Sequence, residues 1–160
     1  MHAVTREIHF CYGHRLLEYP GKCRHLHGHN GTAVITLESA SLDHLGMVVD
    51  FSRLKAEVGG WIDSHLDHRM ILHKDDPALA YLLAQGEPIF VMDRNPTAEN
   101  MARYLLEVVA PHVLADLGVV ARRVSVWETD EACAVASRPG PATAPPVPVG
   151  AAVVVDRRSE

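Results

Sequence analysis

The chain has 160 residues, 48% of them hydrophobic and 22% charged, which is enough for one domain with a real core. A formal net charge of -5 and a pI near 6.1 exclude the broadly basic surface that binds nucleic acid or anionic membranes. No apolar run approaches the ~20 residues that span a bilayer, and the N-terminal MHAVTREIHF mixes charged and apolar residues where a leader would be apolar, so a cytoplasmic protein is expected.

Residues 4–11 alternate loosely and predict a strand; residues 32–37, TAVITL, are rich in β-branched side chains and predict a second. Residues 13–21, with Pro20, predict a long loop between them. His14 lies near the start of that loop, and the cluster GKCRHLHGHN, residues 21–30, lies where it enters the second strand. Asp50 is a candidate N-cap for a helix carrying Phe51, Leu54, Val58, Trp61, Ile62 and His65 at three- and four-residue spacing, although Gly59 and Gly60 each cost about 1 kcal/mol relative to alanine.

Asp76 and Pro77 start a short helical segment that Gly86 ends, and this segment reads as an insertion. Asn95-Pro96-Thr97 repeats the start signal for a second main helix with an apolar stripe of Met101, Tyr104, Leu105 and Val108, which Pro111 should kink or stop. In residues 120–128, Val120, Val124 and Val126 share one face of a strand, and a turn at Thr129-Asp130 leads into a last strand over 131–136. The order is therefore strand, strand, helix, helix, strand, strand. From residue 137 onward SRPGPATAPPVPVG has no periodicity that could bury a face, so residues 137–160 are expected to be a flexible tail outside a domain of residues 1–136.

Eleven histidines are the anomaly of the composition. In a strand, residues two apart share a face, so His27 and His29 can converge on one ion while Gly28 points away. His25 has the same parity, but His25 to His29 would span about 13 Å of extended chain, too far for both to reach one tetrahedral centre. A catalytic zinc typically has three protein ligands and one open position. His14, across the loop, completes a set of His14, His27 and His29. Cys23 is either a fourth ligand, which would close the site, or a reactive thiol beside the metal, favoured as thiolate by its neighbours Lys22 and Arg24. Three cysteines, odd in number and widely spaced, make a poor disulfide framework, and Cys11 and Cys133 fall within predicted strands as packing residues.

These residues carry a family resemblance. Gly13-His14-Arg15-Leu16, Gly21-Lys22-Cys23, Leu26-His27-Gly28-His29-Asn30, Val48-Val49-Asp50-Phe51, Leu66-Asp67-His68, Pro96-Thr97-Ala98-Glu99-Asn100 and Trp127-Glu128-Thr129 occur in the order of the 6-pyruvoyltetrahydropterin and 6-carboxytetrahydropterin synthases. The chain resembles that family over about residues 4–136. The resemblance implies an α+β tunnelling fold, an antiparallel sheet with two main helices on one face, oligomerising into a β-barrel, commonly as a hexamer. It implies Zn2+ on His14, His27 and His29, and 7,8-dihydroneopterin triphosphate as the pterin substrate. The implied reaction is loss of triphosphate with proton movements along the side chain.

By the same resemblance Cys23 is the general acid/base, with Asp67 and His68 as its proton relay. Adjacent residues of an extended chain point opposite ways, so Asp67 and His68 need a turn between them, and the relay could form across a subunit boundary. Glu128 continues the parity of Val124 and Val126, which sets a carboxylate on an apolar face, and such a group needs a partner. A strand-end salt bridge would serve. The resemblance instead makes Glu128 the anchor for the adjacent 2-amino and N3–H donors of a pterin, with Thr97 a further contact. The short GKC form inclines the reading toward a 6-carboxytetrahydropterin synthase of 7-deazaguanine and queuosine biosynthesis, which also releases acetaldehyde. The alternatives are the pyruvoyl-forming enzyme and a non-catalytic zinc or pterin-binding module. The chain departs from the family at Asn30-Gly31, where an aromatic residue is common soon after His-Gly-His, in the length of segment 73–94, and in its proline-rich tail.

Overall fold

The computed structural model describes residues 1–139. Its frame is a long hairpin, β1 (His2–His14) and β2 (His27–Ser39), paired antiparallel from His2↔Ser39 to His14↔His27. Both strands are longer than their β-branched centres predict. The ladder runs on through the Gly13↔Gly28 pair, so His14 is the last residue of β1 and not part of the loop. On β2, Ala33, Ile35 and Leu37 are fully buried while Val34 and Thr36 between them are only half covered, the period of a strand with one face on a core.

The first main helix, α1, runs from Phe51–Leu54 through a widened π-helical turn at Lys55–Gly59 to Gly60–His65. The Asp50 side chain accepts from the Ser52 N–H at 2.7 Å, as its N-cap position predicts. Strand β3 (Arg69–His73) follows, then the short helix α2 (Leu79–Ala84) and strand β4 (Ile89–Met92). The second main helix, α3, runs from Ala98–Tyr104 through a π-helical turn at Leu105–Val109 to Ala110–Val113. Strands β5 (Val120–Thr129) and β6 (Ala132–Ser137) close the described chain.

The sheet order is β4-β3-β1-β2-β5-β6, and β3 lies parallel to both β1 and β4. The sheet is thus mixed, a correction to the expected antiparallel one. Parallel neighbours require a crossover of a dozen or more residues. The segment that reads as an insertion is that crossover, joining β3 to β4. Both strands were missed because four- and five-residue apolar runs are too short to show a period.

One face of the sheet packs on both main helices. Leu54, Val58 and Ile62 of α1, and Met101, Leu105 and Val109 of α3, join Ile35, Leu37, Val124 and Val126 in one buried cluster. Three expected core residues lie elsewhere, each for a geometric reason. Phe51 sits at the exposed first turn of α1. The wider turn in α3 moves the buried position from Val108, 51% exposed, to Val109. Against Leu37, β5 shifts register between Arg123 and Ala121, so Ala121 is buried and Val120 is not. Pro111 does not stop α3, which continues to Val113 behind the widened turn.

Cys11 and Cys133 are exposed, contrary to the packing role expected of them. Phe10, Tyr12 and His14 take the inward positions of β1, and Ala134 that of β6, so strand alternation turns both cysteines outward. Strand β6 includes Ser137, one residue beyond its predicted end, and the Arg138 N–H donates to the Arg122 carbonyl at 2.9 Å. Of the expected flexible tail, residues 140–160 lie outside the described residues. Among the described residues no helix is long and apolar enough to cross a membrane.

Candidate metal and substrate site

The end of the β1–β2 hairpin brings three imidazoles together. His14 and His27 are cross-strand partners, and His29 follows His27 on the same face. Ring centroids are 4.6 Å apart for His14 and His27, and 5.0 Å for each of the other two pairs. One nitrogen from each ring lies within 4.8 Å of the other two.

Their tautomers suit a cation. His14 Nδ1 donates to the Pro96 carbonyl at 2.7 Å, and His27 Nδ1 donates to the His25 carbonyl at the same distance. Each of these bonds leaves the Nε2 lone pair free, the arrangement found in metal-ligating histidines. His14 is 2% exposed, and its Nε2 is buried without a hydrogen-bond partner. Burial holds the ring below the usual imidazole range, against the Pro96 carbonyl and Glu128, so it is neutral near pH 7. An orphaned, neutral nitrogen facing two more imidazoles fits a metal ion. His25 contributes only its backbone carbonyl.

Glu128, near the end of β5, stands beside this cluster, with Oε1 3.7 Å from His14 Nε2. Cys23 lies in a short 3-10 turn, Lys22–Arg24, within the loop that joins β1 to β2. Cys23, Glu128, Thr97, His14 and Glu99 line one cavity of about 320 Å³. Thr97 is the N-cap of α3, its hydroxyl accepting from the Asn100 N–H at 3.2 Å. Glu99 and Tyr12 are site residues that the sequence reading missed. Tyr12 was open to detection, because it shares the inward parity of Phe10 and His14.

Asp67 and His68 lie elsewhere. His68 lines a different cavity, of about 600 Å³, with His27, His29 and Cys11. The pair forms the expected turn, with His68 at φ 54°, and its geometry is held by β1: the His68 N–H donates to the Cys11 carbonyl at 2.6 Å. Asp67 accepts from the Cys11 N–H and from His68 Nδ1, both at 2.7 Å. Burial would raise the Asp67 carboxyl, but these donors outweigh it and hold the group below the usual carboxylate range. Neither residue lines the cavity that Cys23 lines, and among the described residues the side-chain hydrogen bonds of Asp67 and His68 go to Cys11 and to each other.

The loop carrying Cys23 is braced by Asp76 of the β3–β4 crossover and by Asn95 of the connection from β4 to α3. Arg15 Nε donates to Asp76 Oδ2 at 2.7 Å while Arg15 Nη2 pairs with Oδ1. Asn95 bonds both the N–H and the carbonyl of Leu17, at 2.7 and 2.9 Å. The Asp76 side chain is fully buried, so Asp76→Ala would leave a charge without its partner; it is expected to lower stability by about 3 kcal/mol, read from urea unfolding. The Arg15 hydrogen bonds hold the Asp76 carboxyl below its usual range. Their stabilisation is therefore present above the unfolded pKa of ~3.9 and is lost as pH falls through the lower folded value.

Known proteins resemble this chain in sequence and fold. The family model described as 6-pyruvoyl tetrahydropterin synthase matches residues 3–139. The 6-carboxy-5,6,7,8-tetrahydropterin synthase of Rickettsia typhi is 38% identical over 127 residues, 78% of this chain and 92% of the relative. That of Aquifex aeolicus is 31% identical, covering 68% of this chain and 71% of its own. Among solved structures, an uncharacterised protein from Wolinella succinogenes superposes with TM-score 0.75 at 30% identity, covering 86% of this chain and 98% of that one. Caenorhabditis elegans 6-pyruvoyl tetrahydropterin synthase, 23% identical, has the same fold with TM-score 0.63, over 86% of this chain and 95% of its own. With that match over nearly all the described residues, and a histidine triad at the end of its long hairpin, the chain belongs to the 6-pyruvoyl tetrahydropterin synthase family.

Proposed function

We propose that the protein is a zinc-dependent lyase that converts 7,8-dihydroneopterin triphosphate and water to 6-carboxytetrahydropterin, triphosphate and acetaldehyde. The observation that carries the reading is one cavity lined by a triad histidine, a thiol and a carboxylate, His14, Cys23 and Glu128. Relatives at 31–38% identity named 6-carboxy-5,6,7,8-tetrahydropterin synthase favour the carboxy product over the pyruvoyl one. His14, His27 and His29 hold the metal, which supplies Lewis-acid polarisation of the substrate's side-chain oxygens.

Glu128 accepts the 2-amino and N3–H donors of the pterin, and Thr97 adds a contact at the start of α3. Cys23 removes and returns protons along the side chain, and Asp67 orients His68 as the relay. Because Cys23 and His68 line different cavities within a chain, they are supplied by neighbouring copies in a homo-oligomer, a hexamer by family resemblance. The product would feed 7-deazaguanine and queuosine biosynthesis in the cytoplasm.

The test is incubation of purified protein with dihydroneopterin triphosphate and mass detection of products. The expected result is 6-carboxytetrahydropterin with acetaldehyde in equal amount. A pyruvoyl product without acetaldehyde would overturn the carboxy assignment, and an unchanged substrate would leave a binding module.

A further inference from the structure

Tyr12 is 4% exposed and has a place at the site that none of the roles above uses. Its ring packs edge-on to His14 at 5.2 Å and tilted to His29 at 5.7 Å, with Phe10 stacked behind it. The space it fills is provided by Gly31 on the neighbouring strand. A Cβ at residue 31 would lie 2.7 Å from Tyr12 Cε1 and 3.2 Å from Phe10 Cζ. A side chain at residue 31 would therefore displace the Tyr12 ring from its present place, which glycine leaves open.

The Tyr12 O–H donates to Glu128 Oε1 at 3.3 Å, and among the described residues no other group donates to that carboxylate. Oε1 is also the oxygen 3.7 Å from His14 Nε2. Without a donor it is free to turn toward the imidazoles, and a carboxylate is itself a zinc ligand.

Resting on the pterin reading of the site, we propose that Tyr12 is a positioning residue: its hydroxyl holds the Glu128 carboxylate in the orientation that receives two adjacent N–H donors, and keeps it off the metal. A neutral hydroxyl suits this task, because it orients the carboxylate without cancelling the charge that the ligand's donors must meet.

Tyr12→Phe keeps the ring and removes the hydrogen bond. Its expected effect is a KM for dihydroneopterin triphosphate raised roughly tenfold, with kcat within about threefold of wild type. Calorimetric titration with 7,8-dihydroneopterin, which has no triphosphate to lose, should show weakening in metal-free protein, where only the carboxylate's orientation is lost, and a larger weakening in zinc-loaded protein, where the freed carboxylate can also turn to the metal. The double variant Tyr12→Phe/Glu128→Gln should bind no worse than Glu128→Gln alone, since the hydroxyl acts only through that carboxylate. Unchanged KM and Kd in Tyr12→Phe, or additive losses in the double variant, would overturn the inference. Failure of the wild-type protein to bind the pterin overturns the functional reading and this one together; wild-type binding beside an indifferent Tyr12→Phe overturns this one alone.

Discussion

Replacing Cys23 by alanine is expected to lower turnover of dihydroneopterin triphosphate by about 10³-fold while zinc stays near one per chain. General acid/base groups typically contribute 10²–10⁴-fold, and the proposed chemistry moves several protons along one side chain. The thiol lines the cavity of His14 and Glu128, but the three imidazoles already converge without it. Measuring zinc and single-turnover rate on the same sample separates the roles. If zinc is lost together with activity, Cys23 is a ligand and the site is closed. Alanine should leave the fold intact, because the turn holding Cys23 is fixed by backbone: its carbonyl accepts from the Leu16 N–H at 2.8 Å.

His29→Ala is expected to remove the metal and, with it, all measurable turnover. Changing only the groups that orient metal-bound histidines costs about 10–100-fold in affinity, and loss of one of three ligands should cost more. His29 is the most informative of the three to replace. It is only partly buried, whereas losing the buried His14 would also orphan the Pro96 carbonyl. The matched control is His25→Ala, four residues away in the same cluster. It should retain zinc, since His25 serves His27 through a backbone carbonyl that alanine also carries. Zinc content after dialysis, by elemental analysis, decides both variants; equal loss in the two would show that the set of ligands is misassigned.

Much of this site could be read from the sequence because its logic is local. His27 and His29 share a face by strand alternation while Gly28 points away, and the length of an extended chain is enough to keep His25 from meeting them. Tyr12 could have been found in the same way, by extending the parity of Phe10 and His14. What could not be read depends on neighbours in space. The register shift beside Leu37 decides that Ala121 faces the core, and a widened helical turn does the same for Val109. Neither leaves a mark in a hydrophobic period. The parallel pairing of β3 and β4 was hidden for a different reason. Each strand is too short to declare itself, and its direction follows from the crossover that precedes it.

The Arg15–Asp76 pair and the Asn95–Leu17 bonds tie the Cys23 loop to segment 73–95, which has consequences for anyone shortening or grafting this scaffold. Segment 73–95 contains the stretch that reads as an insertion in the sequence and would be an early choice for trimming. Its removal would take away a buried counter-ion and an amide bridge at once, leaving the Arg15 guanidinium without the carboxylate it faces. A minimised version would have to supply a carboxylate to Arg15 from elsewhere, or give up Arg15 as well.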